Sequence, residues 1–283
     1  MKIEIPRVFA NTFGMAREQA APLLGLWAVF LLIQIAAIGL VFLAVGGAAF
    51  AGASFDDPDP LRTLGLGVGA IIAIFALYFG YIFLYCVQSA AMAMSGSPLS
   101  RSGFGEALSG GFRSGVALFL AFLLLLVCYI IFSFALELLQ QGLFFLGGLG
   151  EFLLSGGAFA GLVYFACRFA IITPVIAVDG ERNPVSALRR SWALTDGNVL
   201  PIFIVLLVVG VATIVIGLVA VMLFGGLFFV SAASAPGMLT IVLALLTFVV
   251  FGGVAAVLGA TLVSSLHAEV SSSEADDLSK TFE

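Results

Sequence analysis

A charged side chain inside an apolar stretch is the first place to look for chemistry, because hydrocarbon tolerates charge only where it is partnered or used. Arg168 is such a residue. It stands about ten residues into an apolar run, near mid-bilayer if that run is a span. Insertion of Arg at such a depth costs roughly 2.5–3.5 kcal/mol. Two roles are open to it. It can tie helices together, or it can hold an anionic ligand or a lipid headgroup. Three partners are open as well: Glu137 near the outer end of the preceding run, backbone carbonyls freed by Pro174, or a lipid phosphate reached by snorkelling. Glu137 also reads as simply interfacial, with Gln140 and Gln141 just beyond it. Arg189 and Arg190 add two further candidate contacts for anionic headgroups.

Other chemistries lack their residues. His267 is the single histidine, and it is expected at the interfacial end of the last apolar run. A Ser-His-Asp set, a histidine metal site and a phosphate-cradling loop are missing from the sequence. Cys86, Cys128 and Cys167 all fall within apolar runs and read as small core residues. Asp57 and Asp59, flanked by prolines, are too few to hold a divalent cation. No enzyme, cofactor or metal is therefore expected.

The elements that must position these residues follow from composition. Of 283 residues, 62% are hydrophobic and 10% are charged. Soluble domains carry about 25% charge, so this chain cannot clothe a soluble fold. Alternating barrel strands would also average less apolar than this. An all-α polytopic membrane protein remains. Six apolar runs are long enough to cross a bilayer: about 22–45, 64–87, 116–139, 158–177, 200–221 and 238–266. They make one membrane domain over 1–267, followed by an acidic tail, 268–283, expected to be disordered.

Basic residues orient the spans. Lys2, Arg7, Arg17, Arg101, Arg113, Arg182, Arg189, Arg190 and Lys280 fall on one side, and Arg62 on the other. The positive-inside rule places both termini in the cytoplasm. A seventh span, made by splitting 200–230, would export the C-terminus and is disfavoured. The first run is expected to be a retained anchor, since it is too long for a signal sequence and its leader holds Glu4 and Glu18. The net charge of −5 resides in the outer 56–59 loop and the tail. The inner loops are basic, which suits the bilayer's anionic lipids and implies no nucleic acid. The stretch 142–157 reads as an apolar outer loop, interfacial or re-entrant. Gly65 with Gly69, Gly157 with Gly161, and Gly252 with Ala256 and Ala260 read as close-packing pairs.

A threefold pattern underlies the runs: a short amphipathic helix at the interface, then a helical hairpin. The short segments are 6–16 (Phe9, Phe13), 102–113 (Phe104, Leu108, Phe112) and 184–195 (Val185, Leu188, Trp192). The third has defined ends. Asn183 can cap it, Pro184 suits its first position, and Gly197 can stop it.

From Tyr164 to Asn198 the chain reads Tyr-Phe-Ala-Cys-Arg168, then Pro174-Val-Ile-Ala-Val-Asp179, then Pro184-Val-Ser-Ala-Leu-Arg-Arg-Ser191-Trp192-Ala-Leu194-Thr195-Asp-Gly197-Asn198. This stretch resembles the membrane domain of the glycerophosphoryl diester phosphodiesterase family. The resemblance implies a stand-alone six-helix protein of a bacterial inner membrane, with a link to glycerophospholipid or phosphodiester handling. The family's hydrolysis belongs to a separate barrel of about 250 residues, and no soluble stretch here approaches that length. The expected function is thus non-enzymatic: binding of lipid headgroups or partner proteins. The alternative is a transporter or channel for a small anion, with Arg168 as its intramembrane site.

Overall fold

In the computed structural model the described residues are 3–52, 60–100, 102–142, 147–232 and 238–281. They form helices throughout, with short connections. In chain order these are α1 (Ile5–Glu18), α2 (Ala20–Gly52), α3 (Pro60–Ser95), α4 (Phe104–Gly142), α5 (Gly147–Phe169), α6 (Ile172–Ala177), α7 (Pro184–Leu194), α8 (Val199–Ala232) and α9 (Met238–Thr281). Six segments are long and apolar enough to cross a membrane: Ala20–Leu40, Ile71–Ser95, Phe104–Gly142, Gly147–Ala177, Val199–Val219 and Val249–Ser272. Their outward faces carry Leu32, Ile35, Ile72, Phe134, Phe159 and Ile214, all exposed. A surface this apolar is stable only against hydrocarbon. The class is an all-α polytopic membrane protein.

Several expectations are corrected by the helix boundaries. The span containing Arg168 begins at Gly147, about ten residues before the expected start, so 147–157 is helix and not loop. Its glycines do not stop it, because neighbouring Leu149, Phe152 and Leu153 sit on an exposed, lipid-suited surface. Residues 143–146 lie outside the described set, as does the 56–59 acidic loop. The segment 102–113 is not a separate helix; from Phe104 it runs unbroken into α4. The region 200–230 is one helix, α8, so no seventh span is made there. The tail does not begin in disorder either. α9 continues to Thr281, and Ala268, Glu269 and Val270 are buried. Packing of α1 along α9 gives that part of the tail a partner, and Arg7 lies 3.6 Å from Glu269.

The broadest seam joins α3 to α4, rather than two helices of one expected hairpin. Ala107, Gly111 and Gly115 recur at spacing four along α4 and are buried there. A side chain added at Gly111 would meet the Ala91 Cβ at 2.6 Å, and one added at Gly115 would meet Val87. This is close helix approach through small residues, and its glycines are ones the sequence reading passed over. Gly69, Gly157 and Gly161 face open space among the described atoms. Gly252 does pack, against the Trp27 ring.

Core burial gathers at one end of the bundle. Val8, Ala93, Val175, Ala187, Ile202 and Leu266 belong to a single cluster contributed by α1, α3, α6, α7, α8 and α9. The amide of Ile3 donates to Asn198 Oδ1 at 3.2 Å, which pins the chain start to the α7–α8 corner. The starting segment, α7 and the α9 end therefore share one end of the molecule.

Candidate functional site

Helix α5 ends at Phe169, and α6 starts afresh at Ile172 with Pro174 in its first turn. Proline lacks an N–H, so it suits that position and not a helix interior. The Pro174 carbonyl then accepts the amides of Val178 (2.7 Å) and Asp179 (3.3 Å), which turns the chain toward α7. Gly180 takes the left-handed backbone (φ 75°) that this turn requires. Asn183 caps α7 as expected, accepting from Val185 N (3.0 Å) and Ser186 N (3.4 Å). Gly197 also fulfils its expected role, at φ 71° just after Thr195.

Arg168 follows the start of its helix by about twenty residues, not about ten. It lies in the last turn of α5, with its side chain 8% exposed, and reaches over to α7. Its Nε and Nη2 donate to the Tyr164 hydroxyl at 2.9 and 2.8 Å. Nη1 donates to the Trp192 carbonyl at 3.2 Å, and Nη2 to Asp196 Oδ1 at 3.0 Å. The guanidinium carbon also lies 4.7 Å from the Trp192 ring centroid and 5.2 Å from that of Tyr164. Arg, planar and weakly hydrated, is suited to this combined stacking and forked bonding. Phe165 and Phe169 complete the aromatic wall, each within 6 Å of Trp192 between centroids. Glu137 is not among the partners of Arg168; it lies exposed on α4.

The residues of the family-like stretch converge on the same corner. The Arg168 carbonyl accepts the Ser191 hydroxyl at 2.8 Å. Thr195 sends its hydroxyl to the Ser191 carbonyl at 2.8 Å, closing the end of α7. Leu194 and Pro174 are buried in it, and Asn198 takes the Ile3 amide. Taken together, these residues join three helices and the chain start.

A second polar junction lies beside it. Asp179 Oδ2 accepts Arg190 Nε at 2.8 Å and lies 3.2 Å from His267 Nε2. Burial pushes this carboxyl up, but the hydrogen bonds and charges of His267 and Arg190 outweigh it and hold Asp179 below the usual carboxylate range. His267 is fully buried near the end of the last candidate span. Nothing local in the sequence pairs it with Asp179, 88 positions away.

Arg189 stands apart from both junctions. It is exposed, it is without a partner among the described residues, and it lines a groove of about 510 Å³ with Glu181, Asn183, Ser186 and Arg190. Val185 and Trp192 are exposed on the same helix. The sequence reading missed Gln34 and Gln88, two buried amides joined at 3.2 Å between α2 and α3. No group of three or more metal-ligating side chains occurs among the described residues.

Comparison with protein-family models, with curated proteins and with solved structures returns no match to this chain.

Proposed function

We propose that this chain is a non-enzymatic integral membrane protein that holds anionic lipid headgroups at the end of the bundle bearing α7. One observation carries the reading. Of the candidate arginines, Arg168 and Arg190 are engaged by Asp196 and Asp179, whereas Arg189 is exposed and unpaired among the described residues, beside a polar groove that Glu181 also lines. A phosphate set there would meet Arg189, the Ser186 hydroxyl and the Asn183 amide. Exposed Val185 and Trp192 beside the cations suit a helix seated at the headgroup level. Charge asymmetry supports placing this end in the cytoplasm. The resemblance over 164–198 supports a bacterial inner membrane and a role in glycerophospholipid handling. An anion path through Arg168 has less support, because four of its five N–H donors are already taken within the protein.

The test uses the purified full chain in neutral detergent with added phosphatidylglycerol or phosphatidylcholine. Phosphatidylglycerol is expected to raise the thermal midpoint more than phosphatidylcholine, and Arg189→Ala to abolish that difference. Equal stabilisation by both lipids, or an undiminished difference in the variant, would overturn the reading.

A further inference from the structure

The α5–α6 break delivers Thr173 into the bundle, against α3. There it closes two adjoining cavities. One, of about 270 Å³, lies between α3, α6 and α9. The other, of about 440 Å³, lies between α3, α4 and α6. Tyr85, Ser89 and Thr173 form part of both walls. Ser89 and Thr173 are half-buried and Tyr85 is exposed, and none of the three hydroxyls has a hydrogen-bond partner among the described residues.

Gln88 lines the smaller cavity and is 7% exposed. Its Oε1 is taken by Gln34, while its Nε2 has only the Met92 thioether at 3.9 Å. Three hydroxyls and an amide N–H₂, from one turn of α3 and from α6, thus line these cavities with donors unused among the described residues. A few polar groups lining an otherwise apolar concavity suit a ligand site.

The chemistry of the occupant follows. Neither cavity is lined by a charged residue, so an ionised group would be buried without a counter-charge. Four donors call for a neutral acceptor, such as a carbonyl. The larger cavity continues past Tyr85 along Ile82, Leu118, Phe122 and Leu125, with Tyr78 and Tyr81 also in its wall, which suits an alkyl chain. Ser89 lies about 9 Å and Ile82 about 20 Å from the end of α3 at Ser95, at roughly 1.5 Å per residue. The polar level is therefore shallow and the apolar extension deep. This is the order of an acyl ester, with its carbonyl near the interface and its chain toward the midplane.

We infer that the confluence of these cavities binds the ester carbonyl of a neutral acyl glycerolipid, with its chain running inward along α3 and α4. The inference stands independently of headgroup binding at Arg189. The groups facing the site are all uncharged, so occupancy does not need phosphate.

The full chain in nanodiscs is photolabelled with a diazirine-tagged diacylglycerol and, in parallel, with a diazirine-tagged alkane of matched length. Crosslinked peptides are mapped by mass spectrometry. The diacylglycerol is expected to label the segments holding Tyr85 and Thr173 in preference to the alkane. Tyr85→Phe and Thr173→Val, which keep shape, are each expected to lower that labelling about fivefold, the worth of one hydrogen bond. Arg189→Ala is expected to leave it unchanged. Equal labelling by both probes overturns the inference, as does indifference to both hydroxyl deletions. Loss of labelling in Arg189→Ala with the hydroxyl variants unaffected would assign the lipid to the α7 groove instead.

Discussion

The Ser191 hydroxyl donates to the main-chain carbonyl of Arg168 across 2.8 Å, and the guanidinium of the same arginine reaches back to α7 through the Trp192 carbonyl and Asp196. Arg168 is thus held to α7 by both its backbone and its side chain. A helix that ends in hydrocarbon leaves its last carbonyls without partners. Ser191 supplies one from the neighbouring helix, and the buried positive charge is balanced by a carboxylate at the exposed rim.

Arg168→Ala is expected to destabilise the protein by about 2–3 kcal/mol, the worth of charged hydrogen bonds lost from a buried group. Arg168→Lys should recover only part of this, since an ammonium cannot fork or stack as a guanidinium does. Asp196→Asn should cost less than about 1 kcal/mol, because its side chain is 76% exposed. Thermal midpoints in detergent give the ranking. An Asp196→Asn loss equal to that of Arg168→Ala would contradict it.

Ser191→Ala removes the shorter of two hydroxyl bonds to the Arg168 carbonyl, leaving the 3.4 Å bond from Thr195, and should cost about 1 kcal/mol. Combined with Arg168→Ala, the loss should be less than the sum, because both changes act on one junction. A double-mutant cycle on unfolding reads the coupling directly. Strict additivity would show that the two bonds act separately.

Asp179 predicts a dependence on pH. Its folded pKa lies below the ordinary value of about 3.9, so the stability it contributes is fully present above that value. It is lost as pH falls through the lower folded value. On acidification Asp179 gains a proton and releases Arg190 of α7 and His267 of α9 together. Asp179→Asn should cost about 1–2 kcal/mol at neutral pH and flatten the acid limb of the stability curve below about pH 4. An acid limb as steep in the variant as in the parent would assign the loss to other carboxylates.

The legible and illegible parts divide by physical range. Span number follows from hydrophobicity within single segments, and the ends of α7 from Asn183, Pro184 and Gly197, which act on their own backbone. Pairings between distant positions left no local mark. Asp179 with His267, Gln34 with Gln88, and Ile3 with Asn198 arise only once the helices pack. Arg168 shows the cost of an intermediate error. Reading 147–157 as loop moves the start of its helix by several turns and hides that Arg168 stands in the last turn of α5. Asp196, already within the quoted motif, was passed over as its partner.

The α3–α4 seam supplies the sharpest contrast among glycines. Gly111 and Gly115 are covered by Ala91 and Val87, whereas Gly157 and Gly161 of α5 meet nothing within 4 Å. Gly115→Val must push α3 and α4 apart and is expected to cost more than about 2 kcal/mol, at the upper part of the range for overpacked cores. Gly111→Ala, which meets both Ala91 and the Val87 carbonyl, should also destabilise. Gly161→Ala should be neutral or should stabilise by up to about 1 kcal/mol, because a helix interior favours alanine and the added methyl has room. Unfolding midpoints of the three variants, measured in one detergent, decide the matter. If Gly161→Ala proved as damaging as Gly115→Val, the tight contact would have to lie on α5 instead of α4.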